Sequence, residues 1–254
     1  LLCQDHNYGG RHGAQSTWDR KAMREHALGC VDEIIDASLD DLGDAAPSEG
    51  LLVFNPVSWP QEDLLVVPDA LPETLAVLDA SGQALPSQPS EEGLVVAPPL
   101  LGALAVERFS LTPRIPPVVR ASPSGDLLAG EGLEARIDTS RGMVSRLREV
   151  ATGLDMLQAD RACGLGTLLS YDDPGIDVRY GLTGDVTSDV NVGYEVVVAE
   201  DGPLYARTTL AGTFLECHVE KQYTLHKRAA RLDLCVRIAW WGKRNQHLRV
   251  CFPF

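Results

Sequence analysis

The sequence predicts a mainly-β protein in three parts: an N-terminal amphipathic helix, a small β-sandwich and a large antiparallel β-sandwich. Two observations carry this. One helical periodicity fills Ser16 to Leu42 and stops at a linker. Beyond it the chain consists of short or alternating Val- and Leu-rich runs, separated by Pro, Gly and Asn breakers.

The helix is legible because Met23, Ala27, Cys30, Val31, Ile34, Ile35, Ser38 and Leu42 recur at steps of three and four, which puts them on one stripe. Ser16, with Asp19 three residues on, offers first-turn N–H groups a hydroxyl and a carboxylate, and Gly43 supplies a stop. A lone amphipathic helix cannot bury its stripe by itself. It therefore has to pack on a sheet or on other helices, and no others are legible in this chain.

Residues 45–50, Ala-Ala-Pro-Ser-Glu-Gly, are linker by composition. Five short runs follow: Leu51 to Phe54, Leu64 to Val67, Leu75 to Leu78, Leu94 to Ala97 and Ala103 to Leu111. Their spacing fits a small sandwich. Between two of them, Asp79-Ala80-Ser81-Gly82 reads as a hairpin turn, since Gly82 tolerates the positive φ such turns require.

A second loose stretch, Pro113 to Gly130, marks another boundary. Longer strands come after it: Leu133 to Asp138, turning through Ser140-Arg141-Gly142 into Met143 to Leu147, then Tyr194 to Val198, Leu204 to Leu210, Cys217 to Leu225, Leu232 to Ala239 and His247 to Phe252. In one of them Leu232, Leu234, Val236 and Ile238 alternate with Asp233, Cys235 and Arg237, the pattern of a half-buried antiparallel strand. The expected units are residues 1–44, 50–113 and 114–254.

Composition bounds the function. With 44% hydrophobic and 23% charged residues in 254, disordered and fibrous classes drop out. A net charge of -14 with scattered basic residues argues against nucleic acid as a partner. The longest apolar runs fall far short of the roughly 20 residues a spanning helix needs, so no membrane partner is expected. The chain opens without Met or a signal-peptide pattern and closes on an apolar run, so it is expected to be cut from something longer.

Six cysteines, at 3, 30, 163, 217, 235 and 251, have neither the C-x-x-C spacing of a zinc ribbon nor a regular framework. Cys235 and Cys251 lie in apolar strand patterns and are expected to be buried free thiols. That suits a reducing compartment, hence a cytoplasmic location.

Polar groups and glycines gather in Asp5-His6-Asn7-Tyr8-Gly9-Gly10-Arg11-His12-Gly13, just before the helix. His6 offers a neutral ring nitrogen to a divalent metal, with an ordinary hydrogen-bonded loop His as the alternative, since zinc takes three or four ligands. Cys3 and His12 are the nearest further donors. Tyr171-Asp172-Asp173-Pro174-Gly175 reads as a turn that also carries rim carboxylates. Trp240 and Trp241 are aromatics of the kind that stack on sugars, and only one of two strand neighbours is free to do so.

Four stretches resemble glycoside hydrolase family 38, the α-mannosidases. Leu1-Leu2-Cys3-Gln4-Asp5-His6-Asn7 is similar to that family's Leu-Leu-x-Gln-x-His-Asp segment. Val53-Phe54-Asn55-Pro56-Val57-Ser58-Trp59-Pro60 is the most specific match, and Pro98-Pro99-Leu100-Leu101-Gly102 resembles the end of the family's small sandwich. Asp138 to Leu147 looks like the opening hairpin of its large, galactose-mutarotase-like sandwich. The resemblance implies that residues 1–44 end a helical middle domain. It implies retaining, zinc-dependent hydrolysis of α-mannosides, with the catalytic carboxylates and the other zinc ligands on an N-terminal catalytic domain of the same chain. His6 would be the metal ligand and Asn7 would contact the sugar. Asn7 stands where the family has Asp, keeping hydrogen bonds but losing a charge. The expected partners are an α-mannoside substrate and that N-terminal domain. The rival reading is a non-catalytic carbohydrate-binding or scaffolding sandwich. A mutarotase-like epimerase would need a catalytic His and Glu, and no pair stands out around His218 and His226.

Overall fold

A computed structural model describes residues 13–44, 50–68, 75–113, 120–121, 125–157, 163–172, 186–240 and 246–253. The fold is mainly β, with one long helix. Helix α1 runs Gly13–Asp44, so both expected caps, Ser16 and Gly43, fall inside it. A cap residue contributes about 1 kcal/mol, too little to stop a helix that Ala14 and Gln15 favour extending. The apolar stripe is exposed: Met23, Val31, Ile34 and Ile35 are each about half or more accessible to solvent.

The small sandwich has two three-stranded antiparallel sheets. One is β1 (Leu51–Phe54), β6 (Val106–Pro113) and β3 (Leu75–Leu78), in the order β1-β6-β3. The other is β2 (Leu65–Pro68), β5 (Gly93–Val96) and β4 (Ser87–Ser90), in the order β2-β5-β4. Val67, Val77, Val96 and Phe109, drawn from both sheets, form the core with Leu101. The turn after β3 is built as expected. The Asp79 carboxylate accepts from Ser81 N (2.9 Å), Ser81 Oγ (2.6 Å) and Gln83 N (2.9 Å), and Gly82 sits at φ +79°. Strand β4 was not expected, because Ser-Gln-Pro-Ser contains no strand former. Pairing with β5 imposes it.

The rest forms three further antiparallel sheets. Strands β7 (Arg120–Ala121), β13 (Glu195–Asp201), β14 (Tyr205–Phe214), β15 (Cys217–His226) and β16 (Leu232–Ala239) make a five-stranded sheet, β16-β15-β14-β13-β7. Strands β8 (Leu127–Ala129), β9 (Leu133–Asp138) and β10 (Met143–Glu149) make the second. Strands β11 (Leu168–Asp172), β12 (Val186–Ser188) and β17 (Gln246–Val250) make the third, and a 3-10 turn at Asp189–Asn191 follows β12. Their shared core includes Leu128, Ile137, Val144, Leu168, Leu210, Val219, Tyr223 and Leu225. As expected for β16, Leu232, Leu234, Val236 and Ile238 pack against this core while Cys235 and Arg237 face outward.

The cysteines correct one expectation. Cys251 is disulfide-bonded to Cys163, and Cys235 is an exposed free thiol, so neither is a buried free thiol. The backbone aligns the first pair: Cys251 N donates to Thr167 O (2.8 Å) and Gly166 N to Cys251 O (3.0 Å), extending the β17–β11 ladder beyond both strands. The two residues are 88 apart in sequence, a closeness no spacing rule announces. For Cys235, alternation turned the residue to the solvent side of its strand. The premise for a reducing compartment loses both of its thiols.

Candidate functional site

Asn55, the polar centre of Val-Phe-Asn-Pro-Val-Ser-Trp-Pro, is 2% exposed. Its Nδ2 donates to Trp59 O (2.8 Å) and Gly102 O (2.7 Å), and its Oδ1 accepts from Val57 N (3.2 Å). One side chain thus closes its own turn and ties it to Pro98-Pro99-Leu100-Leu101-Gly102. Two stretches noted separately in the sequence become one structural unit. Asn55→Leu should cost about 2–3 kcal/mol by urea unfolding, because it strands buried carbonyls. Trp59→Ala, at a residue 58% exposed, should cost about 0.5 kcal/mol.

The Asp138–Met143 hairpin has a polar interior behind it. Gly142 sits at φ +63°, and a Cβ there would lie 2.4 Å from the Tyr194 ring, so only glycine fits. Its carbonyl accepts from Lys221 Nζ (2.8 Å) and Tyr223 OH (2.8 Å). Lys221 also pairs with Asp189, and both side chains are fully buried. Asp189 in turn accepts from Tyr194 OH (2.7 Å) and Leu168 N (3.0 Å). Burial pulls the Lys221 pKa down against the opposing charge of Asp189, and it raises both tyrosines. Every member is satisfied by another, and what the cluster does is pin the hairpin, the 3-10 turn, β11 and β15 together.

Between the two sandwiches lies a cleft of about 340 Å³, lined by Glu62, Asp63, His226, Arg228 and Arg231 over an apolar floor that includes Leu64, Pro98 and Leu204. Arg231 bridges it, with Nη1 on Asp63 Oδ1 (2.8 Å) and Nε on Asp233 Oδ1 (2.8 Å). His226 Nε2 meets Asp233 Oδ2 at 2.8 Å. Burial works to raise the Asp233 pKa, but hydrogen bonds from Arg231 and His226 outweigh it and hold the carboxyl below its ordinary value. Arg231 thus holds Asp63 of the small sandwich to Asp233 of β16 and clamps the two sandwiches together. A second tie lies deeper. Gln88, fully buried on β4, accepts from Leu204 N (3.0 Å) and Tyr205 N (3.2 Å) at the start of β14. Val95, Leu204 and Tyr205 form a small core around it.

Acid should loosen the fold. Hydrogen bonds from Ser81 and Arg146 lower the pKa of Asp79 and Asp155, as those on Asp233 do there. A lowered carboxyl contributes stability that is present above its unfolded value, about 3.9, and is lost as pH falls through the folded value. Glu200, raised by burial, works in the opposite sense. Among the described residues three lowered carboxyls stand against one raised, and the urea midpoint is expected to fall steadily below about pH 5.

His6 and Asn7 lie outside the described residues, as do Cys3, His12, Asp173 and Trp241. Asp172 accepts from Gln246 Nε2 (2.6 Å), Tyr171 stacks under Arg249 at 5.0 Å, and Trp240 is 37% exposed. Among the described residues no group of three or more His, Cys, Asp or Glu stands together to hold a metal. His218 is exposed on β15, and His226 is engaged with Asp233. Sequence reading missed Asp189, Lys221, Gln88 and the Asp63–Arg231 tie. Lys221 alone had a signal: it falls in the inward phase Cys217, Val219, Tyr223, Leu225, where a charge demands a buried partner.

No protein-family model matches the sequence, and no curated protein matches it. Solved structures do. An α-mannosidase from Enterococcus faecalis V583 superposes with a TM-score of 0.71 at 14% identity, over 94% of this chain and 36% of that one. A glycosyl hydrolase family 38 protein, also from Enterococcus faecalis, gives a TM-score of 0.63 at 15% identity, over 80% of this chain and 33% of that one. At such identities the likeness is one of fold. The chain spans about a third of the length of each.

Proposed function

We propose that this chain is the C-terminal portion of a zinc-dependent, retaining α-mannosidase-like glycoside hydrolase of family 38. The observation that carries the reading is the fold match along 94% of the chain to an α-mannosidase, of which it covers 36%. Four sequence stretches in the family's order support it, two of them joined by Asn55.

In this reading the chemistry belongs to an N-terminal domain. Retaining hydrolysis needs two carboxyl groups roughly 5 Å apart, one attacking the sugar and one passing the proton. Asp63 and Asp233, the paired carboxylates of the cleft, share Arg231 and are committed to holding the sandwiches together. His6 would be one zinc ligand and Asn7 a hydrogen-bonding contact to the α-mannoside. Zinc would polarise sugar hydroxyls there.

The 254-residue chain by itself should not release nitrophenol from a nitrophenyl α-mannoside above the buffer blank. A longer protein carrying this sequence should, and its His6→Ala variant should lose zinc and turnover together. Turnover by the chain alone, or full zinc content after His6→Ala, would overturn the reading. Glycan binding by the inactive chain would favour a carbohydrate-binding module instead.

A further inference from the structure

Among the described residues, the buried side-chain atoms that meet no hydrogen-bond partner are Gln88 Nε2, Glu200 Oε1, Tyr205 OH and Arg207 Nε. They come from three strands, β4, β13 and β14, and gather at one place, the junction of the two sandwiches. Glu200 stands directly opposite Arg207 across the β13–β14 ladder, and Tyr205 lies two residues before Arg207, so these three side chains share one face of the five-stranded sheet. Ala206 and Leu210, in the opposite phase, belong to the large core. Gln88 reaches the shared face from β4 and lies flat on the turn after β13, where a Cβ at Gly202 would sit 2.2 Å from its side-chain oxygen.

The four groups act on one another. The Arg207 guanidinium stacks 4.7 Å over the Tyr205 ring, and its Nη1 stands 3.4 Å from Glu200 Oε1, a charge contact too poorly aligned to be a hydrogen bond. Burial pushes the Tyr205 hydroxyl up to about 12, and Arg207, Glu200 and Gln88 are the neighbours that modify the rise. Gln88 and Tyr205 are 0% and 2% exposed, sealed by this chain's own atoms, so a segment packed on from outside does not reach them. A buried polar group left dry loses its hydrogen bond to water with nothing in exchange, and here that loss would fall on four groups at once.

We propose that this junction binds an internal water molecule, which accepts from Gln88 Nε2 and Arg207 Nε and donates to Glu200 Oε1 and Tyr205 OH. The donor and acceptor inventory selects it. The amide and guanidinium nitrogens only donate, the carboxylate oxygen accepts, and the hydroxyl does either. Water offers two lone pairs and two protons, which this set matches one for one, and buried waters make two to four such bonds. A metal cation would be set against Arg207, and an anion against Glu200. With the water in place Gln88 is satisfied at both ends: Oε1 holds Leu204 N and Tyr205 N, and Nε2 reaches β13 through solvent. The small sandwich is thereby tied to two strands of the large one. The inference goes beyond the hydrolase reading and does not depend on it.

A high-resolution crystal structure of the chain, paired with nuclear magnetic resonance in solution, tests it. The expected result is one oxygen peak within about 2.7–3.2 Å of at least three of the four atoms. In solution the Gln88 side-chain amide protons should show cross-relaxation to water with the sign of a long-lived contact. Tyr205→Phe keeps both backbone bonds of Gln88 and should keep the peak on the three remaining partners, with the water's residence time shortened about fivefold, the equivalent of one neutral hydrogen bond. Gln88→Met should lose the peak, and oxygen-17 relaxation dispersion should count one long-lived water fewer. That variant also removes two backbone bonds, so if circular dichroism shows it unfolded, the parent and Tyr205→Phe decide the question. Direct bonds among the four groups with no peak between them overturn the proposal. So does a peak that refines as an ion, or a folded parent whose Gln88 amide shows no long-lived contact with water.

Discussion

Lys221→Met is expected to destabilise the protein by about 3–5 kcal/mol. The ammonium and the Asp189 carboxylate are both fully buried, and removing one partner leaves a charge with no solvent to receive it. The loss spreads, because Asp189 orients Tyr194 and holds Leu168 N, while Lys221 holds the Gly142 carbonyl. Lys221→Met combined with Asp189→Asn should recover part of the loss, since the amide oxygen still accepts from Leu168 N while the stranded charge is gone. Urea denaturation of both variants checks this. A single variant within about 1 kcal/mol of the parent, an ordinary surface effect, would mean that the hairpin is held by packing alone.

Cys251→Ser is expected to cost about 4–5 kcal/mol, the loop-closure entropy released to the unfolded chain when residues 88 apart lose their cross-link. The bond lies where the β11–β17 ladder ends, with the chain from Cys163 to Cys251 including both strands of that pair. Alkylation of the unreduced, unfolded protein followed by peptide mapping should find Cys163 and Cys251 unmodified, while Cys30, Cys217 and Cys235, the free cysteines among the described residues, take the label. Labelling of Cys251 without reductant would remove the cross-link from the account. An unchanged unfolding midpoint on adding reductant would do the same.

How much was legible depends on the range of the interaction. Strand β9 falls on Leu133–Asp138 and β16 on Leu232–Ala239, as their alternation indicates, because a period of two is a local property of a half-buried strand. The turn at Asp79 to Gly82 was equally local, one carboxylate and one glycine closing it. Strand β4 was not legible, since Ser87–Ser90 gains its conformation from β5 and from Gln88 reaching across to β14. The ends of α1 were misplaced because a cap contributes too little to decide a boundary alone. Of the site residues, His6 and Asn7 came only from resemblance and lie outside the described residues.

The sequence by itself determined the class of fold: a period near 3.6 that stops at a linker and a period of two beyond it leave little but one helix and antiparallel sheets. Only the tertiary structure decided which distant groups meet. Lys221 with Asp189, Arg231 with Asp63, Gln88 with the start of β14 and Cys163 with Cys251 are separated by tens to more than a hundred residues. Pairings of that range follow from how whole sheets stack, and a buried charge or amide then takes the partner that the stacking brings within reach.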